Sequence, residues 1–294
     1  MRSVLLSMLL VLTACQSQHV LAPLPAWQSP LGREQAELGQ IRDLRSGERL
    51  TPAQLVERLA AAPRVLVGEQ HDNPDHHALQ LWLLRALEQQ RAQGSLLLEM
   101  LTPGQQALAD TAGQRLRTGQ PVADLPRALA WDKGWDWSLY GPIVGHALRQ
   151  DYGLTAANLE RAEIMAIYRE QPVLQGHAST AATVREPLLA QIRESHCNKL
   201  PESQLPAMLA VQQQRDRRMA EHLLTAPPPA MLFAGAFHVR RDLGVPLHLR
   251  DLGAPDSAQV LILAEVGKPV TAGQADYVWY TAALPDEDHC ARFH

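Results

Sequence analysis

Short, uninterrupted runs of apolar residues recur along the chain, and glycine, proline or charged residues end each of them. The runs are 65–67, 96–98, 231–234 and 260–263. Runs of this length without polar alternation are typical of strands that are buried on both faces of a sheet. The pattern therefore predicts a central sheet that is covered by helices on both faces.

Between these runs lie longer segments in which apolar residues recur with the period of a helix. The first has Thr51 in the N-cap position and Pro52 in the first turn, as is common at helix starts. Alternating strands and helices predict an α/β fold with a mostly parallel sheet. Residues 277–280 alternate between apolar and polar, which predicts a last strand at the sheet edge. The helical segments are 51–61, 75–91, 104–117, 139–150 and 204–224.

The first fifteen residues have the layout of an export signal, with Arg2, a largely apolar stretch at 4–12 and small residues before Cys15. A helix of that length rises only about 14 Å, against about 30 Å of hydrocarbon, so it is too short to span a bilayer. The residues Leu12–Cys15 resemble the lipobox of bacterial lipoproteins, which implies cleavage before Cys15 and a diacylglyceryl group on its sulfur. An ordinary signal peptide with a cysteine at its cleavage site is the alternative.

The domain boundaries follow from this interpretation. We expect residues 1–14 to be removed as a signal peptide, residues 15–29 to form a lipidated tether and residues 30–294 to form a single domain. Gln16 directly follows Cys15, at the position where lipoproteins of the other sorting class carry an aspartate. This residue resembles the sorting signal for the outer membrane. The expected location is the outer membrane, with the globular part in the periplasm.

Charge and cysteine content narrow the function classes. A net charge of −4 with both signs interspersed gives no basic patch for nucleic acid, so no nucleic-acid partner is expected. Once Cys15 carries lipid, Cys197 and Cys290 remain in an oxidising compartment, where disulfides persist. Two cysteines alone do not decide whether they pair.

Polar side chains follow the first apolar run at the point where the strand ends. Glu69 and His71 stand two residues apart, so in an extended segment their side chains point the same way. Ligands in open α/β sheets gather at the carboxyl ends of strands. Glu69 and His71 are therefore candidate site residues. The alternative is that Asp72 and Asn73 cap the next helix and His71 is a surface loop residue.

Two further strand ends carry similar side chains. Glu99 follows the second apolar run, and His238 follows the third, with Arg240 and Arg241 close behind. A buried glutamate needs a partner, so Glu99 faces either a ligand or a structural ion pair. The two arginines suit carboxylates or phosphates, or else lie in solvent. Polar groups at three strand ends together are the main evidence for a site.

Two helices carry polar residues on faces that are otherwise apolar. His76 falls on the apolar stripe of the second predicted helix, whereas His77 falls on another face. A histidine on such a stripe is more often a hydrogen-bonded core residue than a ligand. Gln212 and Asp216 interrupt the apolar face of the last predicted helix, and they either reach the site or bond to strand-end backbone.

An aromatic cluster at 131–137 is followed closely by Tyr140. Such clusters usually seal cores, but aromatic rings also stack on flat macrocycles. Tyr140, Tyr277 and Tyr280 are candidate phenolate ligands, since ferric haem iron accepts tyrosine as well as histidine. His196 offers a further imidazole.

Taken together, these residues give the chain a resemblance to the ChaN family of haem-binding uptake lipoproteins, within the wider erythromycin-esterase and Tiki-like superfamily. The matching segments occur in the expected order along nearly all of the chain after the signal, and they are specific as a set although no single motif suffices. They are Val67–Asn73, Leu98–Met100, Trp131–Tyr140, Gln213–Ala220, Ala234–Pro246 and Ala275–Trp279.

The resemblance implies binding of haem for iron uptake, with the haem held between two subunits by a tyrosine and by basic residues at its propionates. No motif match places that tyrosine, so histidine and tyrosine both stay open as the axial ligand. The implied partners are haem, outer-membrane lipid through Cys15, a second copy of the chain and haem transport components. The expected haem-binding residues are Glu69, His71, Glu99, Tyr140, His196, His238, Arg240 and Arg241.

Two other functions compete with this one. Superfamily relatives imply a hydrolase, in which Glu69 acts as the base while His71 and His238 orient groups or bind a metal ion. No histidine pair has the i, i+4 helical spacing of a zinc metalloprotease. The other competitor is an envelope scaffold whose polar strand ends are only structural. The sequence leaves the question of catalysis open, and it favours a haem-binding protein without enzymatic activity.

Overall fold

The computed structural model describes residues 21–254, 256–286 and 290. The expected signal peptide and Cys15 lie outside these residues. None of the helices in the described part of the chain is long and apolar enough to cross a membrane.

The core of the fold is one sheet of eight strands among the described residues. The strands are β1 (Ile41–Asp43), β2 (Arg49–Leu50), β3 (Arg64–Glu69), β4 (Ser95–Leu98), β5 (Gly153–Ala156), β6 (Ala230–Gly235), β7 (Ala258–Glu265) and β8 (Tyr277–Thr281). Their order is β2-β1-β8-β7-β3-β6-β4-β5. The five strand pairs from β8 to β5 are parallel, and only β1 pairs antiparallel, with β2 and β8. The four apolar runs lie in β3, β4, β6 and β7, as predicted.

Helices cover both faces of this sheet. They are α1 (Pro52–Ala60), α2 (Pro74–Glu88), α3 (Pro103–Arg117), α4 (Leu125–Ala128), α5 (Trp137–Ala147), α6 (Arg161–Glu170), α7 (Ala182–Ser195), α8 (Leu205–Thr225), α9 (Ala236–Val239) and α10 (Val245–Asp251). Val65 and Val67 pack into a core with α1, α2, α3 and α5, whereas Leu66 packs into a second core with α8 and α10. Because side chains alternate along a strand, β3 supplies both cores. The predicted α/β fold is confirmed.

The prediction that residues 277–280 form an edge strand is wrong. β8 lies inside the sheet because β1 pairs along its outer side, with Ile41 opposite Trp279. β1 and β2 have three and two residues, too few to leave an alternating pattern in the sequence. The two outermost strands of the described sheet are β2 and β5.

The connection from β3 to α2 places the first polar cluster at the carboxyl edge of the sheet. α2 begins at Pro74, and the Asn73 side chain accepts a hydrogen bond from the backbone N–H of Asp75 at 2.9 Å. This N-cap fixes the start of the helix. Only 70–73 separate β3 from α2, so His71 is held close to the end of the strand.

Residues 21–29, which we expected to belong to the tether, lie against α2. The Trp82 indole N–H donates to the carbonyl of Ala22 at 2.9 Å, and the Asp75 carboxylate accepts from the backbone N–H groups of Gln28 and Ser29 at 2.6 and 3.0 Å.

Cys197, which follows α7, and Cys290, near the C-terminus, form a disulfide. The question that the sequence left open is thus decided in favour of pairing.

Candidate functional site

Glu69, the last residue of β3, is the centre of a buried hydrogen-bond cluster. Its side chain has no solvent exposure, and its Oε1 accepts from the hydroxyl of Tyr140 at 2.9 Å. The same oxygen lies 2.8 Å from Nδ1 of His71, and Oε2 lies 3.2 Å from Nε2 of His77. Because a carboxylate only accepts, Glu69 orients Tyr140 and His71 through Oε1, whereas Nε2 of His77 donates to the backbone carbonyl of His71 at 3.0 Å.

His71 presents a ring nitrogen to the carboxyl edge of the sheet. Its Nδ1 faces Glu69, its ring packs edge-on against Trp135 with centroids 4.9 Å apart, and 43% of its side chain is exposed. Nε2 has no hydrogen-bond partner among the described residues. Burial lowers the pKa of His71, but the hydrogen bond and charge of Glu69 and the charge of Glu99 outweigh it, so the pKa is raised.

His238, in α9 directly after β6, lies between two carboxylates. Its Nδ1 is 2.5 Å from Oδ1 of Asp216 in α8, and its Nε2 is 3.3 Å from Oε1 of Glu99 at the end of β4. Burial opposes charge on the ring, yet the two carboxylates together raise the pKa of His238. Burial likewise opposes charge on Glu99, but His238 and His71 hold the pKa of Glu99 below its ordinary range. The two carboxylates thus favour the protonated form of the buried His238 ring.

Gly235 joins the two clusters. Its backbone N–H donates to Oε2 of Glu99 at 2.8 Å, and a Cβ at this position would lie 2.8 Å from Nε2 of His71 and 3.7 Å from Oε2 of Glu99. The absence of a side chain is therefore what lets the His71 ring lie against the end of β6. The ends of β3, β4 and β6 meet here, as the sequence predicted.

A cavity of about 490 Å³ opens beside these clusters. Phe237 lies at its rim with 41% exposure, and the Arg240 guanidinium lies 5.4 Å from the centre of the Phe237 ring. Arg240 also forms a two-armed pair with Asp242, at 2.9 and 2.6 Å. A second cation, Lys268, pairs with Glu265. The other residues that line the cavity are Glu69, Gln70, His71, His76, Gln191, Gln212, Gly235, Ala236, His238, Ile262, Leu263, Ala264, Pro269, Val270 and Gln274.

Four of the predicted site residues do not line this cavity: Glu99 and Tyr140, which belong to the hydrogen-bond clusters beside it, and His196 and Arg241. His196 ends α7, and its Nδ1 donates to the carbonyl of Ile192 at 2.8 Å. Arg241 bonds to the carboxylates of Asp276 and Asp256 at 3.0 and 2.8 Å, which is a structural ion-pair network. Both arrangements give these residues local structural partners.

Six of the predicted residues gather at the carboxyl edge. They are Glu69, His71, Glu99, Tyr140, His238 and Arg240. Tyr140 is buried and its hydroxyl donates to Glu69; burial and the Glu69 charge raise its pKa far above the ordinary value. A phenolate at Tyr140 is therefore strongly disfavoured while Glu69 is its partner.

Of the two neighbouring histidines of α2, His76 has the structural role that the apolar stripe favoured, whereas His77 contacts the site. His76 is a core residue, since its Nδ1 accepts from the Gln70 N–H at 2.8 Å and its Nε2 bonds to the Thr281 hydroxyl at 2.9 Å. His77 instead contacts Glu69. The pattern missed His77 because α2 is buried on more than one face, so position on a stripe does not separate core from site. Among the described residues no group of three or more His, Cys, Asp or Glu side chains could hold a metal ion.

Comparison with known proteins decides the family. The family model for haem-binding uptake proteins of the Tiki superfamily, ChaN, matches residues 55–249. A solved structure of ChaN of Campylobacter jejuni, which shows cofacial haem binding, is 30% identical with a TM-score of 0.75, and the match covers 82% of this chain and 95% of that one. The chain belongs to the ChaN family. As a ChaN-family protein it also shares low similarity with the erythromycin esterase EreC, at 12% identity and a TM-score of 0.44 over 86% of this chain and 85% of that one. That similarity is too low to support an inference about function. No curated protein matches the chain.

Proposed function

We propose that this ChaN-family chain binds haem at the cavity beside His71 and takes part in haem uptake. The observation that carries the proposal is Nε2 of His71, which has no hydrogen-bond partner among the described residues, while Nδ1 is fixed by Glu69 at 2.8 Å. A histidine that ligates a metal usually donates its other ring nitrogen to a carboxylate, which fixes the tautomer and the ring orientation. Haem iron accepts such an imidazole.

The residues around the cavity suit the rest of a haem molecule. Phe237, Pro269 and Val270 offer apolar surface for the macrocycle, and Arg240 and Lys268 offer cationic groups for its propionates. Both cations already pair with carboxylates of the chain, with Asp242 and Glu265, so propionates would share or replace those partners. Two other candidate ligands from the sequence analysis already have hydrogen-bond partners within the protein. The Tyr140 hydroxyl donates to Glu69, and Nδ1 of His196 donates to the backbone carbonyl of Ile192.

A comparison of two ligands on the full-length protein tests this proposal. Hemin and metal-free protoporphyrin are titrated in parallel, with absorbance in the Soret region as the readout. We expect saturable binding of both porphyrins, with higher affinity for hemin because iron ligation adds to stacking. Only hemin should show the absorbance change that is typical of axial ligation of the iron. Equal affinities for the two porphyrins would remove the iron ligand from the account, and no binding of either would reject haem binding.

We further propose that the chain is anchored to the outer membrane by lipid on Cys15, with its cavity on the periplasmic side. The support is the lipobox-like segment Leu12–Cys15 and Gln16 after it. Several acyl chains at one terminus give stable attachment. Intact-mass measurement on the membrane fraction tests this: diacylglyceryl-modified Cys15 as the new N-terminus is expected, and an unmodified mature N-terminus elsewhere would contradict it. Pairing of two copies around the exposed Phe237 is part of the same proposal, and sedimentation with and without hemin tests it.

One observation favours hydrolysis as a second candidate. Glu69 holds Nδ1 of His71, and Nε2 lies beside the Gly235 backbone, which is the arrangement of an oriented general base. Hydrolysis of an ester panel by the wild type that is lost in both Glu69→Gln and His71→Ala would support this candidate. Activity that survives His71→Ala would reject it.

A further inference from the structure

A second groove lies outside the haem cavity, on the sheet face that α2 and α5 cover. Its volume is about 870 Å³, and none of the residues that line the haem cavity line it. α4 and the residues before it form one wall, and one face of α5 forms the floor. The lining residues are Arg85, Val122, Ala123, Asp124, Leu125, Pro126, Trp137, Gly141, Pro142, Gly145, His146 and Arg149.

Two exposed guanidinium groups line this groove without a carboxylate partner in the part of the chain that the structure describes. Arg85 Nε donates to Nδ1 of His146 at 3.5 Å, and Arg149 donates to the carbonyl of Gly145. Neither forms an ion pair with a described carboxylate. Each keeps donors that suit a phosphate group, since a guanidinium binds oxyanions through a planar fork.

The carboxylates near the groove are already occupied. Asp124 accepts the backbone N–H of Arg127 at 3.1 Å as the N-cap of α4. Glu88 accepts from Nε2 of His146 at 2.9 Å and from the Tyr152 hydroxyl at 2.6 Å. These contacts leave Arg85 and Arg149 without an ion-pair partner in the described residues, so the groove lining carries two guanidinium groups against the single carboxylate of Asp124.

The chain enters the described structure beside this groove. Ala22 accepts from the indole of Trp82, which precedes Arg85 by one turn of α2, and residues three apart on a helix are neighbours. Cys15 is seven residues before Ala22, a distance that an extended chain spans in at most about 25 Å. Leu24, next to this entry point, is 41% exposed. A lipid anchor on Cys15 would thus keep this side of α2 close to the bilayer.

We propose that the groove docks on the membrane and takes the phosphate groups of anionic phospholipid headgroups through Arg85 and Arg149. This inference rests on the anchor at Cys15 proposed above. Basic side chains near an anionic bilayer are attracted to it, and tryptophan is enriched at the level of the headgroups, where the indole of Trp137 would lie.

Tryptophan quenching in vesicles tests the docking. The acylated protein, beginning at Cys15, is inserted into phosphatidylcholine vesicles with and without phosphatidylglycerol. Both kinds of vesicle carry a headgroup spin label, and the signal of Trp137→Phe is subtracted to isolate Trp137. We expect quenching of Trp137 in the phosphatidylglycerol vesicles and loss of that quenching in the double variant Arg85→Gln/Arg149→Gln. The matched control, Arg185→Gln/Arg250→Gln, removes two exposed arginines from α7 and α10 and is expected to keep it.

The outcomes separate the anchor from the docking. If the acylated protein does not float with vesicles, the anchor at Cys15 fails and the docking inference falls with it. If it floats but Trp137 is unquenched, or is quenched equally in the arginine double variant, the anchor stands and the docking is overturned. If inorganic phosphate alone perturbs Trp137 fluorescence in an Arg85-dependent way and vesicles do not, the groove is a site for free phosphate and the membrane assignment is wrong.

Discussion

Asp216 Oδ1 lies 2.5 Å from Nδ1 of His238, and both side chains are buried. Burial raises the pKa of Asp216 to about 6, against the lowering effect of His238, while the pKa of His238 is raised. We expect Asp216→Asn to lower the pKa of His238, because one of its two carboxylate partners is lost, and to cost about 1–3 kcal/mol of stability. NMR titration of the His238 ring protons measures the first effect and urea unfolding the second. Glu221→Gln on the exposed side of the same helix is the control, and an unchanged His238 titration would contradict the account.

Gly235→Ala tests the close approach of His71 to β6. The new Cβ would lie 2.8 Å from Nε2 of His71, so the ring must move and its hydrogen bond with Glu69 is weakened. We expect the hemin affinity to fall by about tenfold or more, as for a misoriented metal ligand, with a loss of about 1 kcal/mol in the free energy of unfolding. Gly153→Ala, where the added Cβ meets nothing within 4 Å, should leave both quantities as they are. Equal hemin affinity in the two variants would be incompatible with ligation at His71.

Tyr140→Phe tests whether Tyr140 only hydrogen-bonds to Glu69 or also ligates the haem iron. The variant removes a buried hydroxyl that donates to Glu69 at 2.9 Å, so a loss of about 1–2 kcal/mol in the free energy of unfolding is expected. Hemin affinity should change little, because the raised pKa of Tyr140 disfavours a phenolate. Tyr168→Phe on α6 is the matched control for stability. Loss of hemin binding in Tyr140→Phe would assign the axial ligand to this tyrosine instead.

The predictable part of this molecule is the part that depends on uninterrupted or periodic apolar runs. Each buried strand at the centre of the sheet was visible because its side chains face two cores, as Val65 and Leu66 do. Glu69, Glu99 and His238 could be predicted because they end such strands or follow them closely, and strand ends in a parallel sheet share one edge.

The partners of those residues were harder to predict, because they come from other elements. His77 is placed by the packing of α2 against α5, and Tyr140 reaches Glu69 from 71 residues away. Asp216 left a signal, as a carboxylate on the apolar face of a helix, but the sequence could not say that its partner is His238. The short strands β1 and β2 left no pattern, so β8 was wrongly placed at the edge.

Asp251 makes stability depend on pH at acidic values. Burial raises its pKa, but hydrogen bonds from Ser179 and from the backbone N–H groups of 177–179 outweigh this and lower the pKa from 3.8 to about 2. Because the folded-state pKa is depressed, this contribution is complete above about pH 4 and is lost as the pH falls towards 2. We expect Asp251→Asn to be less stable than the wild type at pH 7, with the gap narrowing below pH 4. Urea unfolding across this range measures it, with Asp110→Asn as an exposed control; a gap that stays constant with pH would contradict the assignment.

The most direct test of the central claim is a hemin titration of His71→Ala beside His196→Ala and the wild type. The first variant removes the imidazole that faces the cavity, and the second removes one that bonds to backbone outside it. The account predicts that His71→Ala loses the ligand-field spectrum and at least about tenfold in hemin affinity, while His196→Ala matches the wild type. Unchanged binding and spectrum in His71→Ala, or their loss in His196→Ala, would contradict it.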